Sequence, residues 1–223
     1  MRVELGNPIQ YYLRLGSEEV LMNQFIGKEI DLTFLNQINC SDCGKITKKS
    51  FGGGFCYKCF TESPMSAPCI IKPELCRAHL GEGRDVEWEE KHHNRPHYVY
   101  LAATDKIKVG ITREDQIPVR WIDQGANEAI ILAETSNRYE AGVLEVALKD
   151  SFSDKTNWRS MLKNIVDESI DLEETKWEIE ESLPSDLADF ISDHDEVWDL
   201  NYPVQSYPEK VTSMNFDKIP VIK

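Results

Sequence analysis

The sequence predicts an α+β chain, and three observations predict it. Residues 1–35 alternate like strands joined by short turns, all six cysteines fall between residues 40 and 76, and from residue 97 the pattern becomes β-β-α-β-α-α. The expected segments are an N-terminal β segment with a Cys/His-rich region (1–96), a small three-stranded α/β domain (97–160), and an acidic helical segment with a C-terminal tail (161–223). Of the 223 residues, 41% are hydrophobic and 29% charged, the composition of a globular chain. No apolar run reaches the ~18 residues of a membrane helix. The start, MRVELGNPIQYYLRL, has no signal-peptide apolar region or small-residue cleavage site. Membrane-spanning, secreted, collagen-like and disordered classes are therefore set aside, and a cytoplasmic chain without a membrane partner is expected.

Each element follows from local pattern. IQYYLRL and EEVLMNQ flank Gly16-Ser17 as a hairpin would, and KEIDLTFL reads as another strand. Residues 36–96 hold few large apolar side chains, so that segment needs a staple. HYVYLAA and IKVGIT are strands around the turn Thr104-Asp105-Lys106; QIPVRWIDQGA is a short helix with Pro118 in its first turn; EAIILAET is a third strand. Ala141, Val143, Leu144, Ala147, Leu148 and Phe152 recur near helical spacing, and DKTNWRSMLKNIV continues helically after a break near Ser153. Residues 170–200 read as one or two acidic helices, Pro184 starting the second, with Leu187, Phe190, Ile191 and Trp198 as its apolar stripe. The final KIPVIK reads as a strand without a partner, which suggests a natural chain extending further.

CSDCGKITKKSFGGGFCYKC is C-x2-C, twelve residues, then C-x2-C. Each pair can place two thiolates on one ion, Gly44 suits the tight turn of a zinc knuckle, and the Gly-rich stretch can close a hairpin between the pairs. Cys40, Cys43, Cys56 and Cys59 therefore form the expected zinc ribbon, a closed site that folds the segment and does no chemistry. The next stretch carries Cys69, Cys76, His79, His92, His93 and His97. A second structural zinc on Cys69, Cys76, His79 and His93 is the preferred reading; two buried free cysteines with surface histidines is the plain one. Zinc-thiolate chemistry fits a reducing compartment.

HYVYLAATDKIKVGIT resembles the opening hairpin of the GIY-YIG nuclease superfamily, in its phage-type branch. Tyr98-Val99-Tyr100 stands at the first signature and Lys108-Val109-Gly110 at the second, with lysine where the superfamily's name has tyrosine. Arg120 follows where that family keeps a catalytic arginine, and Glu145 in AGVLEVALKDSF where it keeps a metal-binding carboxylate. The resemblance spans 97–158 and implies a catalytic set of Tyr100, Lys108, Arg120 and Glu145, with Mg²⁺ or Mn²⁺ on Glu145. Lys149 stands where the phage-type pattern has histidine, and Asn157 is a stand-in for its late asparagine. Over most of its length the chain also resembles an uncharacterised bacterial family of unknown function.

The chemistry is coherent. A helix-borne carboxylate can hold a Lewis-acid ion, a guanidinium can neutralise phosphoryl charge, and a phenol can orient water, with a nearby lysine lowering its pKa or meeting phosphate. Each residue also has a structural reading: Tyr98 or Tyr100 in the core, Arg120 ion-paired with Asp115 or Asp123, Trp121 packed on the sheet. An exposed Trp121 would instead stack on an unpaired base, with Lys149 and Asn157 as further nucleic-acid contacts.

The net charge of −14 is unevenly spread: residues 161–200 hold fourteen acids and two lysines. That block reads as a solvated helical face or as a dock for a basic protein. Lys45, Lys48, Lys49 and Lys58 are the candidate phosphate contacts. Three functions follow: a metal-dependent nuclease on DNA or RNA, a zinc-stabilised module that binds nucleic acid or ribonucleoprotein without cutting, and an acidic protein-interaction adaptor.

Overall fold

The computed structural model describes residues 1–149, 152, 158–212 and 221–222, and the fold is α+β. In chain order the strands and helices are β1 (Arg2–Glu4), β2 (Gln10–Leu15), β3 (Glu18–Leu21), β4 (Leu32–Thr33), β5 (Ile38–Asn39), β6 (Ile46–Thr47), α1 (Tyr57–Glu62), α2 (Val86–His92), β7 (His97–Ala103), β8 (Ile107–Arg113), α3 (Val119–Asp123), β9 (Glu128–Thr135), α4 (Arg138–Leu148), α5 (Trp158–Leu162), α6 (Leu172–Ser182), α7 (Ser185–Ala188), β10 (Val197–Asp199) and β11 (Val221–Ile222). They divide into two units. One holds Met1–Ile30, Tyr98–Glu134 and 147–212; the other holds Asp31–His97, Thr135–Val146 and the short β11.

The first unit carries the antiparallel ribbon β1-β2-β3 and most of a second sheet of order β10-β9-β7-β8. The β7–β8 turn closes by Thr104 N–H donating to Lys106 O at 3.0 Å. Asn127 N–H meets Ala103 O at 2.9 Å, and Thr135 Oγ1 meets His97 O at 3.1 Å, so β9 runs antiparallel to β7. The sequence predicted three strands and placed Trp198 on a helix. Instead Val197-Trp198-Asp199 pairs with β9, Trp198 opposite Ala129. A β-branched and an aromatic residue gain more on a half-buried sheet edge than in the acidic helix preceding them. The expected acidic helices are α6 and α7, which end at Ser182 and Ala188.

The core of this unit gathers Val3, Ile9, Tyr100, Ala102, Trp121, Ile122, Ala126, Ala129 and Leu200. Trp121 and Trp198 meet edge to face at 5.8 Å. Lys176 is buried within otherwise acidic α6; its ammonium donates to Ser192 O at 2.6 Å, His194 O at 2.8 Å and the Asp195 carboxylate at 2.7 Å.

The second unit holds little regular structure. The last residues expected to be an unpartnered strand do pair, Val221 opposite Thr33 and Ile222 opposite Leu32 in β4. Between α1 and α2 the chain runs through four single 3₁₀ turns, three of them opened by Pro64, Pro68 and Pro73. Among the described residues no helix is long and apolar enough to cross a membrane.

Candidate metal centres and polar sites

The first cysteine pair sits on the β5–β6 hairpin. Cys40 N–H donates to Lys45 O at 2.9 Å and Gly44 N–H to Cys40 O at 3.0 Å, with Gly44 at φ 70°, a left-handed conformation that favours glycine. The second pair straddles the start of α1, entered through the Phe51–Phe55 bridge over Gly52-Gly53-Gly54, where Gly53 and Gly54 have φ of 65° and 94°. Ser41 N–H donates to Gly54 O at 3.0 Å and joins the two knuckles. All four sulfurs lie within 4.8 Å of one another, Cys43 and Cys56 at 3.9 Å. Donors on a tetrahedral zinc stand about 3.3–3.8 Å apart, so this geometry is compatible with structural zinc. Cys56 N–H donates to Cys40 Sγ at 3.1 Å, and that backbone donor is the main cause lowering the Cys40 thiol to about 6. A metal ligand must be a thiolate, so the bond favours the binding form.

The ribbon also carries aromatic rings that the sequence reading passed over. Phe51 packs against Tyr57 edge on at 5.5 Å and stacks on Phe60 at 5.9 Å, and Lys49 Nζ lies 5.4 Å from the Phe51 ring. Tyr57 is 66% exposed and Phe60 39%, while Lys45, Lys48, Lys49 and Lys58 are all exposed, Lys58 facing Glu62 at 3.8 Å. The signal was in the sequence: aromatic residues bracket the second cysteine pair on both sides.

A second cluster contains Cys69, Cys76 and His93, as expected, but its fourth member is Glu89. His79 is exposed and stacks on Tyr139 at 4.6 Å, apart from the cluster. Glu89 lies in the middle of α2 and His93 caps its end four residues on, which puts both on one helix face; that spacing was the missed signal. His92 stacks on Trp88 at 4.1 Å, and His97 Nδ1 bonds Arg95 O. A hydrogen bond between the two thiols is the main cause that lowers Cys76 to about 4 and raises Cys69.

The residues of the nuclease resemblance lie differently. Tyr100 is fully buried; its hydroxyl donates to Gln124 Oε1 at 2.8 Å and its ring meets Trp121 at 6.1 Å. Trp121 has no exposed surface, so it is a core residue and not a stacking platform for a base. Lys108 is 1% exposed, and its burial holds the ammonium pKa below the usual lysine range. Tyr100 and Trp121 belong to the core cluster of this unit, and Lys108 is buried on β8, where most residues of both strands are buried. Arg120 is exposed on α3, and among the ion pairs of the described residues Asp115 bonds Arg113 at 3.2 Å and not Arg120. Glu145 and Lys149 are half-buried at the end of α4 and just beyond it. Glu145 falls in the second unit and Tyr100, Lys108 and Arg120 in the first. Among the described residues Glu145 joins no metal-holding cluster. Asn157 lies outside the described residues.

A family model described as "Protein of unknown function (DUF2797)" matches residues 27–223, and the chain belongs to that family. No curated protein and no solved structure matches it.

Proposed function

We propose that this member of the DUF2797 family is a zinc-stabilised protein that binds single-stranded nucleic acid through its ribbon. One observation carries the reading: the Phe51, Tyr57 and Phe60 rings pack together on the four-cysteine fold with Lys49 over the Phe51 ring, and Lys48 and Lys58 are exposed on the same segment. Residues 40–60 hold four lysines and one acid in a chain whose net charge is −14. Bases stack on aromatic faces whatever their identity, at about 1–3 kcal/mol each, and lysines meet the intervening phosphates. Zinc's part is to hold the two knuckles together so that these rings share one surface.

Cleavage is the finer reading of the nuclease resemblance. The β7–β8 hairpin and exposed Arg120 support it. The buried Tyr100 phenol opposes it, since reaching a phosphate would mean unpacking the core. Binding without cutting is therefore favoured.

Fluorescence anisotropy with labelled single- and double-stranded DNA and RNA tests the proposal. Single strands should bind more tightly, with log K falling against log salt at a slope on the order of −3 if all four lysines engage. No binding at low salt would refute it.

A second contact surface is favoured by Trp177 on α6, which is 74% exposed. Its helical neighbours at i−4, i−3, i+3 and i+4 are Glu173, Glu174, Glu180 and Glu181, all exposed. An indole ringed by carboxylates suits an arginine- or lysine-rich protein segment. Binding of a polyarginine peptide that survives Trp177→Ala would exclude this role.

A further inference from the structure

We propose that Cys69, Cys76, Glu89 and His93 hold a second zinc ion, closed to solvent, which supplies the core that their segment otherwise lacks. All four residues are buried and their donor atoms lie within 4.8 Å of one another. His93 Nδ1 stands 3.9 Å from Cys69 Sγ, 3.7 Å from Cys76 Sγ and 3.7 Å from Glu89 Oε2. Two of those separations fall within the ~3.3–3.8 Å edges of a tetrahedron of sulfur, nitrogen and oxygen around zinc, and the third lies just beyond them.

The carboxylate is the telling member. Glu89 is 3% exposed, and among the described residues no lysine or arginine pairs with it. Burying an uncompensated carboxylate is expensive, and a divalent ion removes that cost. Its environment fixes one oxygen for this purpose: Arg84 N–H donates to Oε1 at 2.9 Å, leaving Oε2 facing His93. Gly83 completes the seat, because a Cβ there would collide with the carboxylate. Such outer contacts are what orients a metal ligand.

The surrounding segment shows why an ion is needed. Its apolar cluster consists of Ala67, Cys69, Cys76 and Ala78, whereas Ile71, Leu75 and Leu80 are exposed. Two alanines and two cysteines cannot order a run of single 3₁₀ turns, and a metal can. Arg138 then ties the ligand-bearing pieces to α4. Its side chain donates to the carbonyls of Cys69 at 3.0 Å and Ile70 at 2.9 Å, and its N–H to His93 O at 2.9 Å. Gly142 lets α4 lie directly on Pro73 and Glu74, where any larger residue would clash. Losing the ion should therefore loosen the start of α4 as well as the 3₁₀ run.

Metal analysis of the purified full-length protein tests this. Native mass spectrometry should find two zinc ions per chain, and X-ray absorption should find an average shell of about three sulfurs and one nitrogen or oxygen. His79→Ala should keep both ions, while Glu89→Ala and Cys76→Ser should each keep one. Hydrogen exchange in Cys76→Ser should rise at residues 64–80 and 138–142 and stay unchanged over β5 and β6. A single zinc with a four-sulfur shell in the unaltered protein would overturn the proposal. So would loss of the second ion in His79→Ala with retention in Glu89→Ala.

Discussion

A Cβ placed on Gly110 would lie 2.6 Å from the Tyr100 hydroxyl oxygen, so the glycine of β8 is the floor on which the β7 tyrosine ring rests. The two signature residues are thus coupled by packing. Gly110→Ala should destabilise the protein by about 1–3 kcal/mol through overpacking, lowering the thermal midpoint by several degrees. Tyr100→Phe leaves the ring and forfeits the bond to Gln124, at about 1 kcal/mol. Neither change should alter oligonucleotide affinity at a temperature where the variant is folded; a calorimetric scan with anisotropy on the same samples checks both points.

Adjacent residues on α6 should behave oppositely. Lys176 donates to two carbonyls and a carboxylate from a buried position, so Lys176→Met strands those acceptors and should cost about 1–3 kcal/mol in urea unfolding. Trp177 is 74% exposed, and Trp177→Ala should stay within about 0.5 kcal/mol of the parent. Equal losses at both positions would contradict the assignment of the inward and outward faces of α6.

Arg84 Nη1 lies 3.3 Å from Phe60 O, 2.9 Å from Ser63 O and 3.1 Å from Ser66 Oγ, gripping the end of the helix that carries Cys59. Arg84→Ala should cost about 1–2 kcal/mol. It should also speed the release of zinc from the ribbon to a chelator, followed by the absorbance of a metal-binding dye. A release rate equal to that of the parent would show that the grip does not steady the ribbon.

Stability should fall at alkaline pH through Tyr202. Burial raises its phenol pKa, with Tyr11, Asp123 and Tyr207 adding to the shift, and the neutral hydroxyl donates to Ala126 O at 2.7 Å. A folded pKa above the unfolded value of ~10 means the contribution is complete below pH ~10 and is lost as pH rises beyond it. Tyr11 shifts the same way for the same main reason. Urea midpoints from pH 7 to 11 should therefore drop less steeply above pH 10 in Tyr202→Phe than in the parent; parallel curves would contradict this.

The sheet was legible because its residues obey simple periods: EAIILAET is β9 from end to end. The four-cysteine cluster was legible because C-x2-C restricts geometry locally. Glu89 was not, since a carboxylate on a helix usually means a solvated face, and only the fold shows Gly83 and Arg84 closing over it. Tyr100, Lys108 and Trp121 illustrate the converse. A family resemblance brought Tyr100 and Lys108 forward as chemistry and an aromatic beside Arg120 did the same for Trp121, yet the strands β7 and β8 and the helix α3 bury all three. The role of Val197–Asp199 was hidden because a three-residue edge strand is defined by its partner and not by its own pattern.

The central claim is that the ribbon, and not the Tyr100 sheet, is the surface that meets nucleic acid. The most direct test compares single-strand affinity across Lys48→Glu/Lys49→Glu, Tyr57→Ala and Arg120→Ala, with Mg²⁺ present and product lengths read on a gel. The expected result is a loss of roughly tenfold or more for the ribbon variants, a salt slope reduced by about 0.7 per lysine, unchanged affinity for Arg120→Ala, and an intact oligonucleotide throughout. Affinity that survives the ribbon changes and falls with Arg120→Ala, or Mg²⁺-dependent cutting by the parent, would contradict it.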